Sequence, residues 1–144
     1  MDKIHINPFR IAGLTARVSN DQPESIVATW GEFWSNDIGN AITSKESMDI
    51  HCVYHSYEGD HRAPYLMTIG YRVPADYVVS GELSVVTVPA QIVAQFEAVG
   101  ALPDALISQW QKIWTSDLDR AYRADFDVYD ATRSDRASIY VGLK

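Results

Sequence analysis

Two stretches of the chain carry the same helical pattern of apolar residues. Residues 23–34, PESIVATWGEFW, and residues 103–114, PDALISQWQKIW, align without a gap. In both, apolar side chains recur at positions i, i+1, i+4, i+7 and i+8, which form one stripe along a helix. Each stretch begins with proline and an acidic residue, which suit the first turn of a helix. The pattern therefore predicts two matching helices, over residues 23 to about 36 and 103 to about 116.

The four tryptophans of the sequence all lie in these two stretches. Trp30 aligns with Trp110, and Trp34 aligns with Trp114. Tryptophan at helical spacing is usually part of a core. One member of each pair is still free to border a groove, and Trp110 is the first choice for that position.

Segments typical of strands flank both predicted helices, so that a strand, a helix and two strands follow one another twice. The predicted strands are 9–18, 49–57, 65–73, 84–98, 125–130 and 137–143. A unit of three strands and one helix cannot bury its apolar face alone. The sequence therefore predicts an α+β fold, in which duplicated βαββ units form one antiparallel sheet with two helices and a central groove. We expect residues 1–144 to be a single domain, with internal repeats at about 8–73 and 84–144.

Composition narrows the class of partner. The 144-residue chain has a formal net charge of −7, and its Lys and Arg residues form no cluster. This argues against direct nucleic acid binding and is compatible with a cationic ligand. The chain begins without the pattern of a signal peptide and has no apolar run long enough to span a membrane. The one cysteine, Cys52, excludes an internal disulfide and fits the cytoplasm.

Motifs for cofactors, metals and nucleophilic catalysis are absent from the sequence. It contains neither a glycine-rich phosphate loop nor a GxSxG motif. His51 and His55 are four positions apart, which in a strand is roughly 13 Å and too far to share a metal ion. We therefore expect no cofactor and no metal site, and we assign no catalytic residue.

The order of elements and several short motifs resemble a known family. These motifs are the tryptophan helix ending in QxxW, the segment VYHSY before a glycine-containing hairpin, and the segment DFDVY at 125–129. Together with the internal duplication, they resemble the GyrI-like effector-binding domain, which also occurs at the C-terminus of AraC-type and multidrug-responsive regulators. The resemblance covers about residues 4–144. It implies a duplicated βαββ fold with a central hydrophobic groove that takes bulky, often cationic, aromatic compounds.

The same resemblance points to two residues of a binding site. The family usually has Phe-Glu-x-Tyr where this chain has Phe126-Asp127-Val128-Tyr129. By resemblance, Asp127 takes the position of the ligand-facing acid, and Tyr129 takes that of the ring. Strand geometry places residues 127 and 129 on one face and 126 and 128 on the other, without deciding which face meets the groove. A solvated Asp127 on an exposed face is the alternative.

Further candidates follow from the repeat. Cys52 falls at the position that matches Asp127, so the charge is expected on one side of the groove only. A carboxylate among aromatic rings is desolvated and favours a cation, to which each ring adds cation–π attraction. The predicted ligand-binding residues are Asp127, Tyr129, Tyr54, Trp110, Trp34, Trp114, Tyr71 and Phe96.

The leading hypothesis is a stand-alone module that senses or sequesters a hydrophobic, cationic aromatic small molecule such as a drug or toxin. No helix-turn-helix precedes the predicted domain, so a regulatory role is expected to need a separate DNA-binding partner. Two alternatives remain. One is a hydrolase of reactive toxins on the same fold, and the other is a protein that inhibits gyrase or docks on a regulator.

Overall fold

The computed structural model describes residues 2–144, which form eight strands and three helices. In chain order these are β1 Asp2–Ile6, β2 Phe9–Val18, α1 Pro23–Ser35, α2 Ile38–Ala41, β3 Ile50–His55, β4 Tyr65–Val73, β5 Ser84–Val88, β6 Gln91–Val99, α3 Asp104–Trp114, β7 Ala124–Tyr129 and β8 Arg136–Gly142. The two predicted tryptophan helices are α1 and α3. The predicted α+β class is confirmed.

All eight strands belong to one antiparallel sheet in the order β1-β6-β8-β7-β3-β4-β2-β5. Strands β3 and β7 are paired at its centre. Outward from this pair, β4 matches β8, β2 matches β6, and β5 matches β1. The two βαββ units are therefore related by an approximate twofold axis through the central strand pair, and the curled sheet forms a half-barrel groove.

The register of the central pair locates this axis. Cys52 lies directly opposite Asp127, and its neighbours pair as Ile50 with Tyr129 and Tyr54 with Asp125. Exchange of the two repeats places Tyr54 on Tyr129 and Asp125 on Ile50, so one of these two pairings becomes the other. The axis therefore passes between Cys52 and Asp127.

The two long helices cover one face of the sheet. Helix α1 packs on β2 and buries Phe33, and helix α3 packs on β6 and buries Ile113. The opposite face carries a separate apolar cluster that includes Phe9, Val53 and Phe126. Phe126 therefore points away from the helices, which leaves Asp127 and Tyr129 on the helical side. None of the helices within residues 2–144 is long and apolar enough to cross a membrane.

Some details differ from the sequence-based prediction. Residues 84–98 form two strands, because Pro89 and Ala90 interrupt the extended segment, and proline has no N–H to donate to a ladder. The N-terminal strand β1 was not predicted. It is a short edge strand whose side chains are mostly exposed, so it lacks a clear apolar alternation.

Candidate functional site

A cavity of about 660 Å³ lies between α1 and α3, above the central strand pair β3–β7. Its walls are mostly apolar and aromatic. The lining residues from the first repeat are Asn20, Ile26, Val27, Trp30, Trp34, Ile50, Tyr54, Tyr57, His61 and Tyr65. Those from the second are Leu102, Pro103, Leu106, Ile107, Trp110, Trp114, Arg120 and Tyr129. A volume of this size is in the usual range for small-molecule sites.

The apolar stripe of each helix supplies equivalent positions to the cavity. The four equivalent pairs are Ile26 and Leu106, Val27 and Ile107, Trp30 and Trp110, and Trp34 and Trp114. Exposure differs between partners: Trp110 is buried at 8% exposure whereas Trp30 is half-buried, and Trp34 is 61% exposed whereas Trp114 is half-buried. Apolar side chains that remain exposed beside a groove are typical of a binding surface. The helix repeat recognised in the sequence thus forms the two walls of the cavity.

Each wall is joined to the floor by a tyrosine–tryptophan contact. The ring of Tyr54 on β3 meets that of Trp110 on α3 edge-on, with centroids 5.6 Å apart and planes at 85°. Tyr129 on β7 meets Trp30 on α1 in nearly the same geometry, at 5.3 Å and 80°. In both contacts the tyrosine of one repeat touches the tryptophan of the other. The approximate symmetry of the backbone therefore extends to the side chains.

Asp127 lies beneath the floor of the cavity and has no exposed surface. Its carboxylate accepts hydrogen bonds from the hydroxyl of Tyr54 and from Nε1 of Trp110, the latter at 3.0 Å. Within residues 2–144 it forms no ion pair. Burial raises the pKa of Asp127 to about 7, although the two hydrogen bonds oppose the shift. The carboxyl group is therefore poised to change its charge near neutral pH.

The charge of a second buried carboxylate on the same strand, that of Asp125, is compensated by an arginine. Asp125 forms a salt bridge of 2.8 Å with Arg120, and both side chains are almost fully buried. It also accepts hydrogen bonds from the Tyr57 hydroxyl and from the backbone N–H of Gly142, the latter at 2.7 Å. The guanidinium of Arg120 lies over the rings of Tyr122 and Trp110. Asp125 and Arg120 thus form a structural ion pair at one end of the cavity.

Most of the residues predicted for ligand binding come together here. Five line the cavity, namely Tyr54, Tyr129, Trp34, Trp110 and Trp114. Asp127 is held directly behind two of them by its hydrogen bonds. Tyr71 and Phe96 lie elsewhere. Tyr71 is buried under Lys45 and beside Phe33, and Phe96 lines a separate pocket of about 170 Å³ near the end of α3.

Several lining residues were not recognised from the sequence. Arg120 comes from an irregular segment without a periodic pattern, and Tyr57 lies beyond the end of β3, although the predicted strand 49–57 included it. The Tyr65 hydroxyl donates a hydrogen bond of 2.7 Å to Oδ1 of Asn20, and the ring of His61 stacks on that of Trp114, with centroids 5.6 Å apart and planes at 9°. These contacts join residues far apart in the chain. No motif in the sequence signals them.

The side chains that commonly bind metal ions are not gathered into one site in the described part of the chain. Within residues 2–144 there is no group of three or more His, Cys, Asp or Glu side chains placed to hold a metal ion. Burial lowers the pKa of both His51 and His55, which favours their neutral forms. Besides aromatic rings with hydroxyl and indole donors, the cavity is bordered by the Asn20 amide, the His61 ring and the Arg120 guanidinium, which is paired with Asp125.

A match to a family model shows which protein family the chain belongs to. The model of the Cass2 family, described as integron-associated effector binding protein, matches residues 4–143. The chain belongs to this family. None of the curated protein sequences matches it. The match agrees with the GyrI-like, effector-binding character inferred from the order of elements and the DFDVY segment.

Solved structures with the same fold include an integron cassette protein, VCH_CASS2, from the mobile metagenome of Vibrio cholerae. It is 21% identical, with a TM-score of 0.82 over 99% of this chain and 95% of that one. A putative transcription regulation protein from Staphylococcus aureus MU50 is 15% identical, with a TM-score of 0.76 over 99% and 97%. The protein SAV2435, solved bound to tetraphenylphosphonium, is 15% identical, with a TM-score of 0.74 over 99% and 93%. At these identities the likeness establishes the shared fold.

Proposed function

We propose that this protein binds a bulky aromatic cation in the cavity between α1 and α3, as a sensor or sequestration module. One observation carries the proposal. A buried carboxylate, Asp127, lies without a cationic partner among residues 2–144, directly behind the aromatic floor of an apolar cavity. Tyr54 and Trp110 occupy its oxygens, so a ligand meets the rings first and feels the charge behind them.

The energetics favour a cation over a neutral or anionic ligand of the same shape. A buried, unpaired negative charge is costly to maintain. A cation over the rings of Tyr54 or Trp110 offsets that cost and gains cation–π attraction of about 0.5–2 kcal/mol. For unit charges roughly 6–8 Å apart at an effective dielectric constant of about 20, the Coulomb energy is about 2–3 kcal/mol. For an anion of equal size in the same position, the Coulomb energy has the opposite sign and opposes binding.

Family and fold support this proposal. The chain belongs to a family of effector binding proteins. SAV2435, which has the same fold, was solved with tetraphenylphosphonium, a cation surrounded by four aromatic rings. We carry that ligand class over to the present cavity, whose lining is dominated by tryptophan, tyrosine and aliphatic side chains.

The test compares two ions of nearly the same shape and opposite charge, tetraphenylphosphonium and tetraphenylborate, by isothermal titration calorimetry at pH 8. We expect the wild-type protein to prefer the phosphonium. In Asp127→Asn, phosphonium affinity should fall about 30- to 100-fold, and borate affinity should not fall. Cys52→Ala is the matched control, because it alters the opposing residue without removing the charge. Equal phosphonium affinity in wild-type protein and Asp127→Asn would contradict the proposal.

The same samples separate binding from other activities. Recovery of an unchanged ligand after prolonged incubation is expected for a sensor or sequestration protein. Steady formation of product from a reactive aromatic compound would instead assign a hydrolytic function to the cavity. Absence of affinity for any aromatic cation would leave a protein partner as the better explanation.

A further inference from the structure

We propose that the cavity contains a second polar subsite, in which Nε1–H of Trp30 and the hydroxyl of Tyr129 bind a hydrogen-bond acceptor carried by the ligand. The inference rests on the proposed function, since it describes the same ligand. It extends the ligand class from an aromatic cation to an aromatic cation that also bears a carbonyl, ether or similar acceptor group.

The argument starts from the symmetry of the cavity. The Tyr54–Trp110 contact and the Tyr129–Trp30 contact are equivalent under exchange of the two repeats, and their ring geometries nearly coincide. In the first contact, both polar hydrogens converge on the carboxylate of Asp127. In the second contact, the corresponding donors are Nε1–H of Trp30 and the hydroxyl of Tyr129, and the residue that takes the place of Asp127 is Cys52.

That equivalent position lacks an acceptor of comparable strength. Cys52 occupies it, directly opposite Asp127 in the central strand pair. Its thiol is fully buried, and burial raises its pKa well above the usual value, which keeps it uncharged. Thiol sulfur is only a weak acceptor. Within residues 2–144, Nε1 of Trp30 and the Tyr129 hydroxyl have no hydrogen-bond partner, and neither atom is among the fully buried unpaired groups.

Unused donors in an apolar wall create selectivity. Trp30 and Tyr129 both line the cavity, so a ligand reaches their polar hydrogens directly. Burial of such a donor against a purely apolar ligand leaves it unpaired, which costs affinity. A ligand that supplies an acceptor recovers that cost. The two halves of the cavity therefore prefer different ends of one ligand, a positive centre near Asp127 and an acceptor near Trp30 and Tyr129.

The experiment uses triphenylphosphonium cations that carry one substituted phenyl ring. The acetylphenyl compounds, with meta or para substitution, are compared with the isopropylphenyl compounds of the same shape and charge. In calorimetry at pH 8, wild-type protein should bind at least one acetyl isomer about 3- to 10-fold more tightly than its isopropyl counterpart. This preference should vanish in Trp30→Phe and Tyr129→Phe. Tyr140→Phe, which changes a tyrosine outside the cavity, should keep it.

The outcomes distinguish this inference from the proposed function. If wild-type protein binds acetyl and isopropyl cations equally well, the acceptor subsite is refuted while cation binding stands. A preference that persists in a folded Trp30→Phe or Tyr129→Phe variant also refutes it. If wild-type protein binds none of the cations, both proposals fail together. Thermal unfolding of each variant establishes that it is folded, and either donor variant alone suffices for the test.

Discussion

The two halves of the cavity floor have the same architecture and opposite chemistry. Strand β7 places Asp125, Asp127 and Tyr129 where strand β3 has Ile50, Cys52 and Tyr54. The tyrosine is retained in both copies, and each tyrosine meets a tryptophan of the other repeat. The two acids occur in one copy only. A duplicated scaffold thus supplies a symmetric aromatic cavity, and two positions make it electrically asymmetric.

The two acids of β7 also differ from each other. Asp125 has a buried arginine, a tyrosine hydroxyl and a backbone N–H as partners, so its charge is compensated within the fold. Asp127 receives two hydrogen bonds from neutral donors and no cation among residues 2–144. The first acid stabilises the structure. The second keeps an unbalanced charge beside the cavity, where a ligand is proposed to balance it.

A substitution that makes the two halves of the cavity floor chemically alike should cause the largest loss of stability. Cys52→Asp places a second buried carboxyl group directly opposite Asp127. Two adjacent desolvated carboxylates repel each other, so at pH 8 we expect the free energy of unfolding to fall by about 5 kcal/mol. Chemical denaturation at pH 8 and pH 5 measures the change. Cys52→Ala, which removes only the thiol, should cost about 1 kcal/mol at both pH values. Equal losses in the two variants at pH 8 would contradict the electrostatic reading.

Loss of the ion pair between Arg120 and Asp125 should cause the next largest loss of stability. Arg120→Met retains an apolar stem but leaves Asp125 buried without its cation. Loss of one partner of a buried pair costs about 3–5 kcal/mol of stability. Arg17→Met is the matched control, because the Arg17–Glu58 pair is exposed and such pairs contribute about 0–1 kcal/mol. Denaturation curves for the two variants should therefore be well separated, and coincident curves would remove the distinction between the acids.

The pH dependence of stability should show the smallest effect of the three. The pKa of Asp127 is raised to about 7 in the folded protein, so between about pH 4 and 7 the folded state holds more protons than the unfolded state. Stability then falls as pH rises through this window and is level above it. We expect a loss of about 2–3 kcal/mol between pH 5 and 8 in the wild-type protein. Asp127→Asn should lack this slope, and an equal slope in both proteins would assign it to other groups.

The sequence predicted the periodic parts of this arrangement. The offset between PESIVATWGEFW and PDALISQWQKIW identified both walls of the cavity, because helix periodicity determines which side chains share a face. Strand alternation put residues 127 and 129 on one face but left open which face it was. The sheet decides this question through packing, since Phe126 joins the apolar cluster on the other side.

Other parts of the site depend on contacts that sequence patterns do not encode. Arg120 reaches Asp125 from a loop, and the register that sets Cys52 against Asp127 follows from strand pairing across the two repeats. The prediction for Asp127 considered a groove-facing or a solvated side chain. The structure places the carboxylate behind Tyr54 and Trp110, so its burial is more complete than either alternative implied.

The central claim is that ionised Asp127 provides the charge that holds a bound cation, and the pH dependence of tetraphenylphosphonium affinity tests it most directly. With a pKa of about 7, the carboxyl group must lose a proton for tight binding below neutrality. Calorimetry should give an affinity about 20- to 50-fold weaker at pH 5 than at pH 8 for wild-type protein, and no change for Asp127→Asn. Wild-type affinity that is constant across this range, or that changes equally in the variant, would contradict the account.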